Sequence, residues 1–261
     1  MKAALIQLNI AWQDTQQNYA KAEFFARQAA ADKCDIVVFP EMFNTGFSMD
    51  LNAVADEGIG ETTSMLSGVA KNNNINLIAG FPMKSPVEEK GRNIAVVFDR
   101  TGMLTATYTK MHPFCLAAEG KYYIAGDNVS TFVIDGVPSS VFICYDLRFP
   151  EVFRQVSTQV KMIFVIANWP SSRRDHWEAL LKARAIENQC FMIGVNRTGS
   201  DGNGISYPGS SGIIDPMGNA ICNGNESDEY VICEFDPFEV DRIRTEYPFL
   251  KDIRDCNDKE K

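Results

Sequence analysis

The feature that most constrains this chain is the rhythm of its apolar runs. Short strand-like runs alternate with amphipathic helical segments from one end to the other. AALIQLN (3–9) alternates apolar and polar residues and reads as a strand. Residues 18–31 read as a helix that puts Tyr19, Ala22, Phe25, Ala26 and Ala29 on one face. IVVF (36–39) is a short buried strand that stops at Pro40, 62–71 is helical, and NLIAGF (76–81) is a strand again. Two hairpins follow. One joins 93–99 to 103–110 across Arg100-Thr101-Gly102, and the other joins 129–135 to 139–144 across Gly136-Val137-Pro138. A helix begins near Phe149 and Pro150, since proline is tolerated in a first helical turn. After the buried strand MIFVIAN (162–168), Ser171 or Ser172 caps a helix running to about Asn188, with Trp177, Leu180, Leu181 and Ala185 facing inward. Segments 190–196, 211–216 and 230–235 supply the remaining strands. Together these elements predict an α/β fold with mixed sheets. The two similar halves predict two sheets packed together with helices outside.

Composition narrows the function classes. With 261 residues, 45% of them hydrophobic and 23% charged, the chain reads as a globular protein able to bury a sizeable core. A single domain over 1–250 and a polar tail over 251–261 are expected. The net charge of −9 argues against nucleic acid as the main partner, because phosphate binding needs a basic face. It still permits an anionic small substrate in a locally basic pocket. The amino-terminal apolar run is too short for a signal peptide, and nothing approaches the ~18 apolar residues of a membrane helix. A cytoplasmic protein without membrane contact is the expectation. The cysteines at 34, 115, 144, 190, 222, 233 and 256 form no C-x-x-C, and the histidines are His112 and His176. No metal site is expected, and reduced thiols, most of them small core residues, are.

Three residues occupy positions where chemistry is often placed. Cys144 stands where a strand turns toward a helix, an arrangement that exposes a nucleophile and favours its thiolate. Taken alone, a buried core cysteine is the commoner use of such a position. Glu41 follows the buried strand 36–39, at a strand's carboxyl end, where α/β proteins place catalytic groups. A solvated loop glutamate is the plain alternative. Lys110 closes a strand, where an exposed lysine is the usual case, and His112 reads equally as a hydrogen-bonded structural histidine. The serine-hydrolase, P-loop and dinucleotide motifs are all missing from the sequence.

The contexts of these residues say more than the residues singly. FPEMF (39–43), YTKMHPF (108–114) and ICYDLRFPE (143–151) resemble, in order and spacing, the three catalytic motifs of the nitrilase superfamily of carbon–nitrogen hydrolases. The resemblance continues through ANWP (167–170), ARAIENQ (183–189), NRTGSDGNG (196–204) and DPMGN (215–219), and covers about residues 1–240. It implies a four-layer αββα sandwich with two mixed sheets, in which Cys144 is the nucleophile, Glu41 the general base and Lys110 a stabiliser. Glu119 resembles the family's second glutamate, and the backbone of Tyr145 would complete an oxyanion site. Phe43, Phe114 and Trp169 would wall the pocket, and Arg148, Arg173 or Arg174 would face a substrate carboxylate. Arg184 and Glu187 would link helix to sheet. No cofactor is implied, and the family's habit implies a homodimer or a larger homo-oligomer.

Within the superfamily, EMFNTGF (41–47), CYDLRFP and NWPSSRRDHW most resemble the omega-amidase branch. That branch implies hydrolysis of 2-oxoglutaramate or 2-oxosuccinamate. A deaminated-glutathione or other short-chain amidase, a nitrilase, and a catalytically silent scaffold on the same fold are the alternatives.

Overall fold

The computed structural model describes residues 1–57, 60–84, 89–227 and 229–254. In chain order the first half contains β1 (Lys2–Ile6), α1 (Thr15–Ala31), β2 (Ile36–Val38), α2 (Leu51–Val54), β3 (Asp56–Glu57), α3 (Glu61–Asn73), β4 (Asn76–Lys84), β5 (Gly91–Phe98) and β6 (Leu104–Thr109). The second half contains β7 (Thr131–Ile134), β8 (Val137–Ile143), α4 (Pro150–Val156), β9 (Met162–Ala167), α5 (Arg174–Asn188) and β10 (Phe191–Asn196). It closes with β11 (Thr198–Ser200), β12 (Ser206–Pro208), β13 (Gly212–Ile214), β14 (Ala220–Asn223), β15 (Tyr230–Glu234) and α6 (Glu239–Glu246).

The strands form two mixed sheets of the same design. One runs β15-β1-β2-β4-β5-β6, with β3 pairing beside β4, and the other runs β14-β13-β10-β9-β8-β7. In each, the inner strands (β1, β2, β4 and β8, β9, β10) are parallel, and antiparallel strands flank them. Period-two alternation decides which neighbour each sheet face meets. Ala3, Leu5, Ile36, Val38 and Ile78 pack toward the second sheet, together with Val141, Ile143 and Ile166. Ala4, Ile6, Val37, Leu77 and Ala79 pack instead under α1 and α3, against Ala22, Ala26, Leu66 and Ala70. Trp177, Leu181 and Ala185 of α5 join the core on the far side of the second sheet. Four layers result, helix–sheet–sheet–helix, as the sequence predicts. Each fully buried aliphatic or aromatic side chain contributes roughly 1.5–3 kcal/mol to holding them together.

Local detail departs from expectation in three places. The second hairpin turns at Asp135-Gly136, one step earlier than expected, and both residues take positive φ (47° and 84°). That is the two-residue turn whose twist suits a hairpin, and it leaves Val137 and Pro138 in β8. Ser171–Arg173 form a 3-10 turn, so Arg173 rather than a serine precedes α5, and no side chain caps that helix. The expectation of reduced thiols fails for Cys222 and Cys233, which are disulfide-bonded. Cys222 lies on β14 and Cys233 on β15, the outer strands of different sheets, so the bond joins the two layers at one edge. Of the other described cysteines, 34, 144 and 190 are buried and Cys115 is exposed. The carboxy-terminal segment begins as a short 3-10 turn at Phe249–Asp252, and 255–261 lie outside the described residues. No helix among the described residues is long and apolar enough to cross a membrane.

Candidate active site

Strand ends from both sheets converge on one point. Beyond β2 the chain runs through Phe39 and Pro40 to Glu41, held against β4 by Phe39 N–H to Ile78 O (2.8 Å) and Phe43 N–H to Gly80 O (2.9 Å). Gly80 is required there. A Cβ at Gly80 would stand 2.9 Å from Glu41 Cα and 2.7 Å from Ile166 Cδ1. Lys110 follows β6, and its N–H donates to Asn93 O (2.9 Å) on β5. Cys144 follows β8, and Asn168 follows β9.

Glu41, Lys110 and Glu119 are fully buried and in contact. The Lys110 ammonium donates to Glu41 Oε1 (2.8 Å) and to Glu119 Oε2 (2.9 Å) and Oε1 (3.2 Å). Asn93 Nδ2 bridges the two carboxylates, donating to Glu41 Oε1 (2.7 Å) and Glu119 Oε1 (3.0 Å). The other oxygen of Glu41 accepts Asn168 N–H (2.8 Å), and Glu119 Oε2 accepts Phe114 N–H (2.5 Å). Burial works to lower the Lys110 pKa, but the nearby charges of Glu119 and Glu41 more than offset it and hold the value well above the ordinary lysine range. The ammonium is therefore a fixed positive charge in a dry site, where its field is little screened.

Cys144 turns the chain. Its φ of 47° lies in the left-handed region, a strained choice for a residue with a Cβ, costing about 1–3 kcal/mol. Asp146 holds this turn. Its fully buried carboxylate accepts Ile143 N–H (3.0 Å) and Tyr108 O–H (2.8 Å) on one oxygen. Its other oxygen accepts His112 N–H (2.9 Å) and pairs with His112 Nδ1 (2.8 Å). Asp146 thus ties the segment after Lys110 to the segment around Cys144. Arg184 adds a strut from α5, donating to Leu147 O (2.8 Å) while pairing with Glu187 (3.1 Å) on its own helix, so it ties the helix to the 3-10 turn at Cys144–Arg148 rather than to a strand. The surroundings of Cys144 work against the thiolate that a helix start would favour. Burial first, then the Glu41 charge, raise the Cys144 pKa well above the usual thiol value, so the resting group is a thiol beside a carboxylate.

Above Cys144 opens a cavity of about 210 Å³. Phe114, Arg148, Trp169 and Arg173 line it as the sequence suggests, and Tyr145 and Asn168 join them. Arg148 lies over the Trp169 ring (4.9 Å), and Arg173 lies over the Phe114 ring (5.4 Å). Neither arginine has a carboxylate partner among the described residues. Two expected pocket residues are elsewhere. Phe43 is in the core under α1 and α3, because Met42 takes positive φ (46°) and turns the chain back into the sheet. Phe47 takes the wall position instead, with its ring 5.3 Å from Lys110 Nζ. Arg174 points away from the cavity and pairs with Glu178 (2.8 Å) and Glu226 (3.6 Å).

Comparison with known proteins agrees with this geometry. The family model for carbon–nitrogen hydrolases matches residues 2–245. The chain belongs to the carbon–nitrogen hydrolase family. The hydrolase is 37% identical to the 2-oxoglutaramate amidase of Bacillus subtilis (strain 168), over 95% of this chain and 96% of that one. It is 34% identical to the omega-amidase YafV of Escherichia coli (strain K12), over 86% of this chain and 85% of that one. Among solved structures it is similar to XC1258 of Xanthomonas campestris, described as a CN-hydrolase superfamily protein with an arsenic adduct in the active site. That match has a TM-score of 0.92 and 28% identity, and covers 98% of this chain and 97% of the other.

The structure also places residues in the hydrolase site that the motifs do not single out. Asn93 is a buried polar residue that immediately precedes the apolar run 94–98 of β5, one step before the residues that pair with the end of β6. A buried asparagine at such a position signals a hydrogen-bonding duty. Asp201, Ile205 and Tyr207, on and between β11 and β12, complete the cavity rim. Tyr207 O–H donates to Asp201 Oδ2 (2.9 Å) and its ring lies 4.6 Å from the guanidinium of the buried Arg197, which fixes the hairpin in place.

Proposed function

We propose that this hydrolase is an omega-amidase-type enzyme that cleaves the terminal amide of a small oxo-dicarboxylic monoamide, 2-oxoglutaramate or 2-oxosuccinamate. The observation that carries the reading is the cavity itself. A cysteine beside a Glu–Lys–Glu cluster lies at one end, and two arginines that have no carboxylate partner among the described residues lie along its wall. Its small volume suits a short substrate, being below the roughly 300–1,000 Å³ of drug-sized sites. The relatives named 2-oxoglutaramate amidase and omega-amidase support the same reading.

In the proposed cycle Glu41 takes the thiol proton as Cys144 Sγ bonds to the amide carbon. Charge moves to the carbonyl oxygen, which Lys110 Nζ and Tyr145 N–H receive. Lys110 can turn one proton to this oxyanion because its 3.2 Å contact to Glu119 is the longest of its three. Each such preorganised donor is worth about 3 kcal/mol. Glu41 passes its proton to the leaving nitrogen, the C–N bond breaks, and ammonia departs from a thioester on Cys144. Glu41 then takes a proton from water, whose oxygen attacks the thioester, and the returning thiolate recovers the proton as the acid leaves. Glu119 holds Lys110 and, through Asn93, Glu41 in register. Arg148 and Arg173 grip the substrate carboxylate in charge-assisted hydrogen bonds. A homodimeric, cytoplasmic enzyme with one domain over 1–250 is part of the same proposal.

Ammonia release from 2-oxoglutaramate tests this, with Cys144→Ala as control and propionamide, deaminated glutathione and a simple nitrile in parallel. Cys144-dependent turnover of the oxo-acid amide is expected. Preferential turnover of another member of the panel would replace the substrate, and silence on all of them would leave a scaffold on this fold.

A further inference from the structure

Asn168 occupies the site without a part in the cycle above. It lines the cavity next to Cys144, and its main-chain oxygen lies 3.8 Å from the Cys144 sulfur, the acceptor of the resting thiol proton. Its side-chain nitrogen donates to Glu41 O (2.6 Å), which fixes the orientation of the carboxamide. Its side-chain oxygen is buried and has no hydrogen-bond partner among the described residues. Leaving a buried acceptor unpaired costs about 1–3 kcal/mol, and in a reaction site that cost points to a partner arriving with the substrate.

The reaction itself creates the need for acceptors. Once the carbonyl oxygen is committed to Lys110 and Tyr145, the scissile –NH2 still presents two N–H donors. Glu41 carries the thiol proton at that stage and must donate rather than accept. The Asn168 main-chain oxygen loses its donor at the same moment, because the thiol proton has left.

We infer that Asn168 is a specificity-determining residue that receives the two N–H groups of the scissile amide on its main-chain and side-chain oxygens. It thereby selects a primary amide over a group of the same acid that carries no N–H. The inference rests on the amidase reading and adds to it a residue that touches the leaving nitrogen. A site built to pair a substrate N–H rejects the analogue lacking it, because its own acceptors are then left unpaired.

The test compares kcat/KM for 2-oxoglutaramate with that for the terminal methyl ester of 2-oxoglutarate, which needs the same leaving-group protonation but offers no N–H. Asn168→Leu also removes the bond to Glu41 and so slows both substrates, but kcat/KM should fall about 10–100-fold further for the amide than for the ester, the fold-change of one lost buried acceptor. Asn168→Ala, which removes the side-chain acceptor without adding an apolar side chain of the same bulk, is the second variant and should show the same selective loss if Asn168→Leu fails to fold. Equal losses on amide and ester in either folded variant would overturn the inference, since they would mean that Asn168 acts only through Glu41. They would leave the amidase reading standing. A wild-type protein inactive on both substrates would overturn both readings together.

Discussion

Asp146→Asn is the most informative single substitution outside the reacting groups. The Asp146 carboxylate accepts two donors on each oxygen, and each pair includes one backbone N–H, from Ile143 or from His112. Asparagine turns one oxygen into a donor. The partner side chain on that side adapts, because the Tyr108 hydroxyl can accept and His112 Nδ1 can lose its proton to the other ring nitrogen. The backbone N–H cannot adapt and is left facing an N–H group. The loss is therefore one charge-assisted hydrogen bond plus one buried unpaired donor, about 2–4 kcal/mol. For a domain of this size that corresponds to a fall of roughly 5–15 °C in thermal midpoint.

The same substitution reaches the chemistry. Asp146 joins His112, two residues beyond Lys110, to Ile143, the residue before Cys144. Loosening either link shifts the oxyanion donor relative to the sulfur, and a misplacement of about 1 Å costs on the order of 100-fold in rate. The expected result is kcat lowered by about 30–100-fold with KM within about 3-fold, because the proposed substrate-gripping arginines are untouched. Thermal melting and steady-state ammonia release measure both effects. A variant with an unchanged midpoint and wild-type kcat would refute the view of Asp146 as the tie between the two segments. A lowered midpoint with normal kcat would confine that tie to stability.

Two further predictions follow from the same geometry. Arg148→Ala and Arg173→Ala should each raise KM for 2-oxoglutaramate by about 10–100-fold, the equivalent of a hydrogen bond to a charged group, and leave propionamide kinetics unchanged; equal effects on both substrates would remove the carboxylate role. Because burial and then Glu41 raise the Cys144 pKa, the protonated thiol is the favoured folded form, and its contribution to stability is full below the ordinary thiol value near 9 and lost as pH rises through the higher folded value. Thiolate ultraviolet absorbance, taken as wild type minus Cys144→Ala, should therefore stay flat between about pH 6 and 8.5, and a titration near neutrality would contradict the resting-thiol assignment.

What could be read from the sequence and what could not divides along a physical line. Features set by local periodicity are legible. The alternation in β1 sends Leu5 to one face and Ala4 to the other, and the buried stripe of α1 is the predicted one. Features set by a single backbone angle are not. The resemblance puts Phe43 on the pocket wall, yet positive φ at Met42 sends it to the core and leaves the wall to Phe47. Nor does spacing reveal contacts made by the packing of distant layers. Cys222 and Cys233 meet only because the edge strands of different sheets come side by side. Asn93, Asp146 and Asn168 share a subtler difficulty. Each is a polar residue in or next to an apolar strand, a pattern that marks it as hydrogen-bonded but does not name its partner. The partner becomes visible once the sheets are assembled, because Glu41, Cys144 and Asn168 all follow inner parallel strands whose carboxyl ends come together. The fold brings these residues to one point, and the hydrogen bonds of the polar neighbours then decide which group holds a proton and which oxygen is left to receive one.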